Sequence, residues 1–263
     1  MASNRKTSKI KVSIVSNELS PAVKEEMWDV YSKYYDYSKA YFMERMEKNN
    51  HFSLFTVENK IIGFTGLRIN RTTINGKKRL LFYFGQTIID ANYRGKSLIP
   101  TTGAKLCLKF LPELLTSKSY FWADCLTYKA YLVITKTLKN GYPSYKNNQL
   151  GDEKDVVDYI GKTHYGNAYC PQTGTVKKDA QVVNDVNTQI PFKYRQDPDI
   201  NFYVNANPLY IEGHGLIALG PVTFTNFAIL LKRMAQKTFG FSPKRKTAMP
   251  LLQKVRQYSK SMQ

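Results

Sequence analysis

Cysteine is scarce in this sequence of 263 residues, which contains only Cys107, Cys125 and Cys170. A disulfide framework or a thiolate metal site needs more cysteines at closer spacing, so both are excluded. The pattern favours a protein of a reducing compartment with no metal site. The opening residues Met-Ala-Ser-Asn-Arg-Lys also lack the apolar stretch of a secretory signal. We therefore expect a cytoplasmic protein.

Long uninterrupted apolar runs are also missing. The strongest candidate is 215–231, which carries no charge but contains Gly220, Pro221 and Asn226. Spanning a bilayer takes about 20 mainly apolar residues. Turn residues in the middle of a shorter run favour a strand followed by a helix. We therefore predict no membrane-spanning helix.

Acidic residues are few: 20 Asp and Glu stand against 39 Lys and Arg, which gives a formal net charge of +19. Residues 1–11 carry four basic residues and 232–263 carry nine, and neither segment contains an acid. Such runs attract nucleic acid, anionic membrane surfaces or acidic proteins, but they are equally typical of a solvated tail. No zinc-finger, RNA-recognition or KH signature accompanies them. Both interpretations stay open.

Hydrophobic residues make up 43% of the chain and aromatic residues 13%, enough for the core of one large domain or two small ones. The spacing of apolar and turn residues predicts helices at 20–48, 98–115, 129–140, 152–161, 226–239 and 250–258. It predicts strands at 52–57, 61–69, 79–89, 120–127, 201–205 and 214–224. Strands that alternate with helices predict a mixed α/β fold.

The most informative stretch is 86–103, where a strand runs into Arg94-Gly95-Lys96-Ser97 and a helix follows at once. A helix start offers free backbone N–H groups and the positive end of the helix dipole. Gly95 allows a tight turn or a close approach to a ligand. The loop is therefore a candidate cradle for a pyrophosphate, or a basic loop before an ordinary helix. The P-loop and dinucleotide-binding fingerprints are both absent.

The order of elements around this loop resembles the GNAT superfamily of acyl-CoA-dependent N-acyltransferases. Residues 89–96 are similar to the exit of that family's fourth strand and the start of its CoA motif. Residues 52–67 resemble its second and third strands, and 130–142 its helix after strand five, which closes here with Asn140-Gly141-Tyr142. The resemblance implies a mixed, mainly antiparallel GNAT-like α/β sheet flanked by helices, with an enlarged C-terminal half.

This resemblance also implies a division of the chain. Residues 10–145 would form the acyl-CoA-binding core. Residues 146–240 would be a C-terminal extension that completes the sheet and the acceptor side, and 241–263 would be a basic tail.

A CoA site is implied at one group of residues: Ile88, Ile89, Arg94, Gly95, Lys96, Ser97, Leu98 and Ile99. The chain departs from the family pattern where Ser97 and Ile99 replace two small residues. It departs again at Thr137, which stands where the family often has a tyrosine that protonates the leaving thiolate. In the family, strands four and five splay apart to admit the pantetheine arm.

The implied reaction is direct attack of an amine on the thioester of acetyl-CoA or another acyl-CoA. The acceptor would be an amine-bearing small molecule or a protein. Acyl carrier protein is the alternative donor, and a GNAT-shaped binding module without turnover is the alternative function. Such chemistry needs a base for the amine, amides that polarise the carbonyl, and a proton source.

No carboxylate stands just before the expected bulge of strand four, where Phe84, Gly85 and Gln86 lie. Candidates for acid–base work are instead Asp124, His214 and Tyr142. Asp124 is equally interpreted as a hydrogen-bonded strand residue, and His214 as part of a glycine-flanked turn. Cys125 is interpreted as a buried inert thiol and His164 as a surface residue.

Overall fold

A computed structural model describes residues 9–178 and 190–239. Its strands are β1 (Lys11–Ser16), β2 (His51–Val57), β3 (Lys60–Ile74), β4 (Lys77–Ile89), β5 (Lys118–Cys125), β6 (Tyr169–Cys170), β7 (Thr175–Lys177) and β8 (His214–Pro221). In the part of the chain described, they form one eight-stranded sheet in the order β1-β2-β3-β4-β5-β8-β7-β6. Neighbours are antiparallel except β4 and β5, which are parallel. The predicted mixed, mainly antiparallel sheet is therefore confirmed.

Two tight hairpins set the register of the first half of the sheet. Glu58 and Asn59 join β2 to β3 with φ values of 49° and 64°, and Asn75 and Gly76 join β3 to β4 with 49° and 73°. Two-residue turns with both φ angles positive match the right-handed twist of the flanking strands. The long β3–β4 ladder between them runs from Ile74 and Lys77 up to Gly63 and Ile89.

The helices follow the predicted order, with one additional helix at 198–206. They are α1 (Pro21–Tyr31), α2 (Lys39–Glu47), α3 (Leu98–Lys109), α4 (Leu111–Leu114), α5 (Tyr128–Thr135), α6 (Asp152–Tyr165), α7 (Pro198–Ala206) and α8 (Phe224–Phe239). Ser20 caps α1 as its sequence pattern predicts, because its side chain accepts a hydrogen bond from the Val23 N–H and Pro21 starts the helix.

Helices cover both faces of the sheet. On the face that we call the α3 face, α3 and α8 pack on Phe82 and Phe121, while α5 and α7 pack beside Cys125. On the opposite face, the α6 face, α6 packs on Tyr83 and Trp122. There α1 and α2 cover Phe64 and Ile88. Side chains of one strand alternate between these two layers.

The predicted strand at 201–205 is wrong, because 198–206 forms α7. Asp197 caps that helix by accepting from the N–H groups of Asp199 and Ile200, and Pro198 is its first residue. Strands β1, β6 and β7 were not predicted from the sequence. The predicted helix at 250–258 and the basic tail at 241–263 lie outside the described residues.

Residues from beyond position 145 add to the same sheet, since β8 pairs with β5 from Tyr120 opposite Pro221 to Cys125 opposite Leu216. The domain boundary at 145 stays a prediction. Within the described ranges, no helix is long and apolar enough to cross a membrane.

Candidate functional site

The parallel strands β4 and β5 separate halfway along their length. Their pairing ends where Tyr83 lies opposite Trp122. Beyond that point β4 continues with β3 as far as Ile89, while β5 continues with β8 as far as Cys125. A wedge therefore opens between 84–89 and 123–125, and we call this opening the splay.

A β-bulge lies on the β4 side of the splay. Phe64 pairs with Ile88 but Gly66 pairs with Gly85, so β4 has one extra residue there. Gln86 takes up the irregularity with a φ of 45°. The bulge was predicted just after 84–86, and in the structure it lies at 86–87.

The bulge directs backbone groups of Ile89 into the splay. The Asp90 N–H donates to the Ile62 carbonyl at 2.9 Å, so Asp90 turns its backbone toward β3. Backbone groups alternate between the two edges of a strand, so those of Ile89 face the other way. In agreement, the Ile89 carbonyl accepts a hydrogen bond of 2.9 Å from Arg94 Nε. The Ile89 N–H is then a donor facing any carbonyl held in the splay.

A cavity of about 300 Å³ adjoins the splay on the α3 face. Phe84, Thr87 and Ala123 line it from the sheet, and Thr137 lines it from beyond α5. Its remaining lining is largely apolar: Ile99, Pro100, Gly103, Phe121, Trp122, Lys129, Ala130, Val133, Ile134, Leu138 and Leu230. A narrow apolar chain that ends in a reactive carbonyl fits such a space.

The loop at 94–97 lies between the end of β4 and the start of α3, next to this cavity. Arg94, Gly95 and Lys96 are exposed. Gly95 and Ser97 both adopt left-handed backbone conformations, with φ values of 73° and 54°. Ser97 directly precedes the right-handed first turn of α3, and neighbouring residues of opposite hand turn successive N–H groups into an anion-binding concavity. The loop therefore presents positive charge and N–H donors on one surface.

The first turn of α3 adds two N–H donors to this surface. Leu98 and Ile99 begin the helix, where N–H groups have no acceptor within the helix. Pro100 has no N–H, so one donor of an ordinary helix start is lost. Leu98 is buried and Ile99 reaches the cavity lining. Most of the predicted CoA residues thus lie together, while the Ile88 side chain packs on the α6 face.

Tyr34, which follows helix α1, holds this loop in place. The Tyr34 hydroxyl accepts a hydrogen bond of 2.8 Å from the Ala91 N–H. The Arg94 guanidinium carbon lies 4.9 Å from the centre of the Tyr34 ring. Together with its bond to the Ile89 carbonyl, this contact fixes the Arg94 side chain against the end of β4.

Asp124 lies buried on the α6 face at the end of β5. Its carboxylate accepts a hydrogen bond of 3.0 Å from the Tyr83 hydroxyl. It also accepts one from Tyr165 and forms an ion pair with Lys178. Burial alone would raise the pKa of Asp124, but the charge and hydrogen bond of Lys178 hold it below its usual value. The carboxylate is therefore ionised and fully partnered.

The other two predicted acid–base residues lie elsewhere. His214 is the first residue of β8 and pairs with Lys177. Strand alternation puts the His214 side chain on the α3 face, opposite to Asp124. Tyr142 is buried in the core under α6, where its backbone bridges to Leu219. Burial raises the pKa of Tyr142. The three candidates are not brought together, and their roles stay predictions.

His164 was missed by the sequence analysis, which interpreted it as a surface residue. It is half-buried on α6 and stacks on Trp122, with ring centres 5.5 Å apart. Burial lowers the pKa of His164, and the Arg68 charge lowers it further against the opposing effect of Asp124. The imidazole is therefore neutral at pH 7. Residues four apart lie on the same face of a helix, so the spacing from Ile160 to His164 was the sequence signal that His164 faces the sheet.

Two other groups near the site are inert. Cys125 is buried, and burial raises the pKa of its thiol. The Tyr131 hydroxyl donates to the Pro143 carbonyl at 2.9 Å and is therefore engaged. Neither group is free to react.

No protein-family model and no curated protein matches the chain. Solved structures of GNAT-family acetyltransferases resemble it over part of its length. An acetyltransferase from Trypanosoma brucei is 12% identical with a TM-score of 0.36, and the match covers 55% of this chain and 99% of that one. A GNAT family acetyltransferase from Staphylococcus aureus is 18% identical with a TM-score of 0.31, covering 42% and 83%.

Two further solved structures resemble about half of this chain. An aminoglycoside acetyltransferase from an uncultured soil metagenomic sample is 15% identical with a TM-score of 0.32, covering 47% of this chain and 82% of that one. The match to a conserved protein of unknown function from Enterococcus faecalis V583 spans only 32% of that protein. The four matches cover between 42% and 55% of this chain.

Proposed function

We propose that this chain is an N-acyltransferase that moves an acyl group, acetyl in the simplest case, from a CoA thioester to an amine. One observation carries the proposal: β4 and β5 splay apart beside an apolar cavity that Ile99 and Pro100, in the first turn of α3, help to line. This arrangement offers a charged surface for a pyrophosphate, an apolar cavity and a backbone donor next to one another.

Three parts of an acyl-CoA would have matching groups in the chain: the pyrophosphate, the pantetheine arm and the thioester. Arg94, Lys96 and the N–H groups at the start of α3 would hold the pyrophosphate. The cavity would hold the pantetheine arm. The bound donor supplies a thioester, whose carbonyl oxygen the Ile89 N–H is placed to polarise. Thr137 in the lining would lie near the sulfur.

The reaction forms one bond and breaks one. The acceptor nitrogen bonds to the thioester carbonyl carbon, the carbon–sulfur bond breaks, the nitrogen loses a proton and the sulfur gains one. Keeping the amine neutral needs a base with a pKa near the working pH. His164 meets this need better than Asp124, because its imidazole is neutral whereas the Asp124 carboxylate is ion-paired to Lys178.

A binding module without turnover is the second candidate function. Two observations favour it: Thr137 stands in the cavity where a stronger acid is expected, and Asp124 is fully partnered. Product formation from any thioester, followed by release of free thiol, would exclude this alternative. Acyl carrier protein as the donor would be revealed by turnover with the carrier-bound thioester and none with CoA thioesters.

Thermal unfolding with CoA, acetyl-CoA and a long-chain acyl-CoA tests the donor site. A ligand at about 100 times its dissociation constant adds roughly 2.7 kcal/mol to the free energy of unfolding. Arg94→Ala should reduce this gain, and Val133→Trp should abolish it by filling the cavity mouth. The matched control is Leu108→Trp, on a helix residue that is 50% exposed, compared with 39% for Val133, and that does not line the cavity.

The outcomes separate clearly. Stabilisation that survives Leu108→Trp but not Val133→Trp supports a CoA thioester in the cavity. The preferred thioester identifies the acyl chain. No stabilisation by any of the three ligands would contradict the proposed CoA site.

A further inference from the structure

On the α6 face, the side chains of Asn49, Tyr83 and Gln86 cover the bulge, and we call this surface the polar floor. Two paired glycines make room for it. A Cβ atom on Gly66 would lie 2.6 Å from Asn49 Nδ2, and one on Gly85 would lie 2.3 Å from the Tyr83 hydroxyl. Both contacts are too short for real atoms, so only glycine lets these side chains lie flat on the sheet. Asn49 in turn donates to Gln86 Oε1 at 2.9 Å. Amide and phenol groups therefore cover the sheet beside the splay.

Among the described residues that interact electrostatically at this floor, positive charge exceeds negative charge. Arg45, Arg68 and Lys178 contribute three positive charges and Asp124 contributes one negative charge, which leaves a formal excess of two. Lys178 pairs with Asp124. Neither Arg45 nor Arg68 forms an ion pair with any residue in 9–178 or 190–239, although both are half-buried. Asp124 acts electrostatically on both arginines but is ion-paired to Lys178. The described groups therefore leave a net positive charge that favours a bound anion.

The four charged groups share one electrostatic environment. Burial would lower the pKa of Lys178, but Asp124 raises it, and Arg45 opposes that rise. Burial would likewise lower the pKa of Arg68, which Tyr83, Tyr165 and Asp124 raise. An anion bound near Arg68 would therefore also interact with Arg45.

Three buried nitrogen atoms beside the floor have no hydrogen-bond partner among the described residues: Arg68 Nε, Gln86 Nε2 and Trp122 Nε1. The Arg68 guanidinium carbon lies 3.9 Å from the centre of the Tyr83 ring and 5.6 Å from that of Trp122. A buried donor that lacks an acceptor costs about 1–3 kcal/mol. Oxygen atoms of a bound ligand would satisfy such donors.

We propose that the acceptor is an amine that also carries a carboxylate, and that Arg68, assisted by Arg45, binds this carboxylate. The inference rests on the proposed acyl transfer and names its substrate class. A guanidinium held against an aromatic ring presents its N–H edge in one plane, which matches the two oxygens of a carboxylate. With the carboxylate held there, the amine end of the acceptor reaches toward the splay and His164.

Three small amines test this proposal on the full chain with acetyl-CoA. β-Alanine and propylamine have nearly the same size and differ in the carboxylate, and O-phosphoethanolamine carries a phosphate instead. We expect kcat/KM for β-alanine to exceed that for propylamine by about 10- to 100-fold, the contribution of hydrogen bonds to a charged group. Arg68→Gln should abolish this preference, and Arg68→Lys should retain part of it.

The matched control is Arg71→Gln on the same strand, because Arg71 pairs with the exposed Glu113. That variant should keep the full preference for β-alanine. Equal kcat/KM for β-alanine and propylamine would overturn the inference while leaving acyl transfer intact. A preference for O-phosphoethanolamine would overturn the carboxylate assignment.

Binding measured without the donor separates this proposal from the proposed function. Calorimetric titration of the protein alone with β-alanine should show binding that propylamine lacks and that Arg68→Gln removes. Such binding in a protein that CoA thioesters do not stabilise would support the anion site and contradict the CoA site. An absence of β-alanine binding together with an absence of turnover would overturn the inference.

Discussion

Lys178→Met removes the cation from the buried carboxylate of Asp124. In the folded protein, Asp124 would keep hydrogen bonds from Tyr83, at 3.0 Å, and from Tyr165. It would lose the only ion pair that it forms with a described residue. Removing one partner of a buried ion pair costs about 3–5 kcal/mol, because the remaining charge is left uncompensated. The two retained hydrogen bonds place the expected loss near 3 kcal/mol, at the lower end of this range.

The loss should depend on pH in a defined direction. In the wild type the pKa of Asp124 lies below that of the unfolded chain, so its contribution to stability is present above about pH 4 and is lost as pH falls through the folded-state pKa. In the variant, burial without Lys178 should raise that pKa above the unfolded value. The variant then loses stability as pH rises from about 4. The difference between the two proteins should therefore grow with pH.

Urea unfolding at pH 4, 5.5 and 7 measures this difference. The control is Lys48→Met, which breaks an exposed pair with Glu44 on one helix and should cost less than about 0.5 kcal/mol. The double variant Asp124→Asn with Lys178→Met should recover part of the loss, because no buried charge remains. A loss below about 1 kcal/mol at pH 7, or one independent of pH, would refute the reasoning.

Two further predictions concern the donor loop and the base. Ser97→Gly should raise the free energy of unfolding by about 0.5–1 kcal/mol, since Ser97 has a left-handed φ of 54° and its side chain makes no capping bond. Destabilisation in urea would contradict this expectation. Acylation should rise with pH through the lowered pKa of His164 and level off by neutrality. His164→Gln should reduce kcat by about 100-fold or more and remove this rise; an unchanged pH profile would exclude His164 as the base.

Local signals in the sequence predicted much of the sheet and its helices. Asn75-Gly76 between two β-rich runs predicts a hairpin, because both residues tolerate the positive φ angles of the turn. Ser20-Pro21 predicts a helix start for an equally local reason. The strand, the 94–97 loop and the following helix were recognised together, because they are continuous in the chain. Features of this kind depend on residues a few positions apart.

Distant contacts account for what local signals in the sequence do not determine. The splay exists because β4 keeps β3 and β5 keeps β8 as partners, and β8 lies about ninety residues after β5. Strands β6 and β7, of two and three residues, are too short for a periodic pattern to identify them.

The amino-acid sequence by itself determined the hairpins, the helix caps and the basic loop before α3, since backbone preferences act over a few residues. Only the tertiary structure decided the partners of the α6 face, where Lys178 meets Asp124 and His164 stacks on Trp122. These side chains come from elements far apart in the chain. Their protonation follows from burial and neighbouring charges, which exist only once the sheet and helix α6 have packed together.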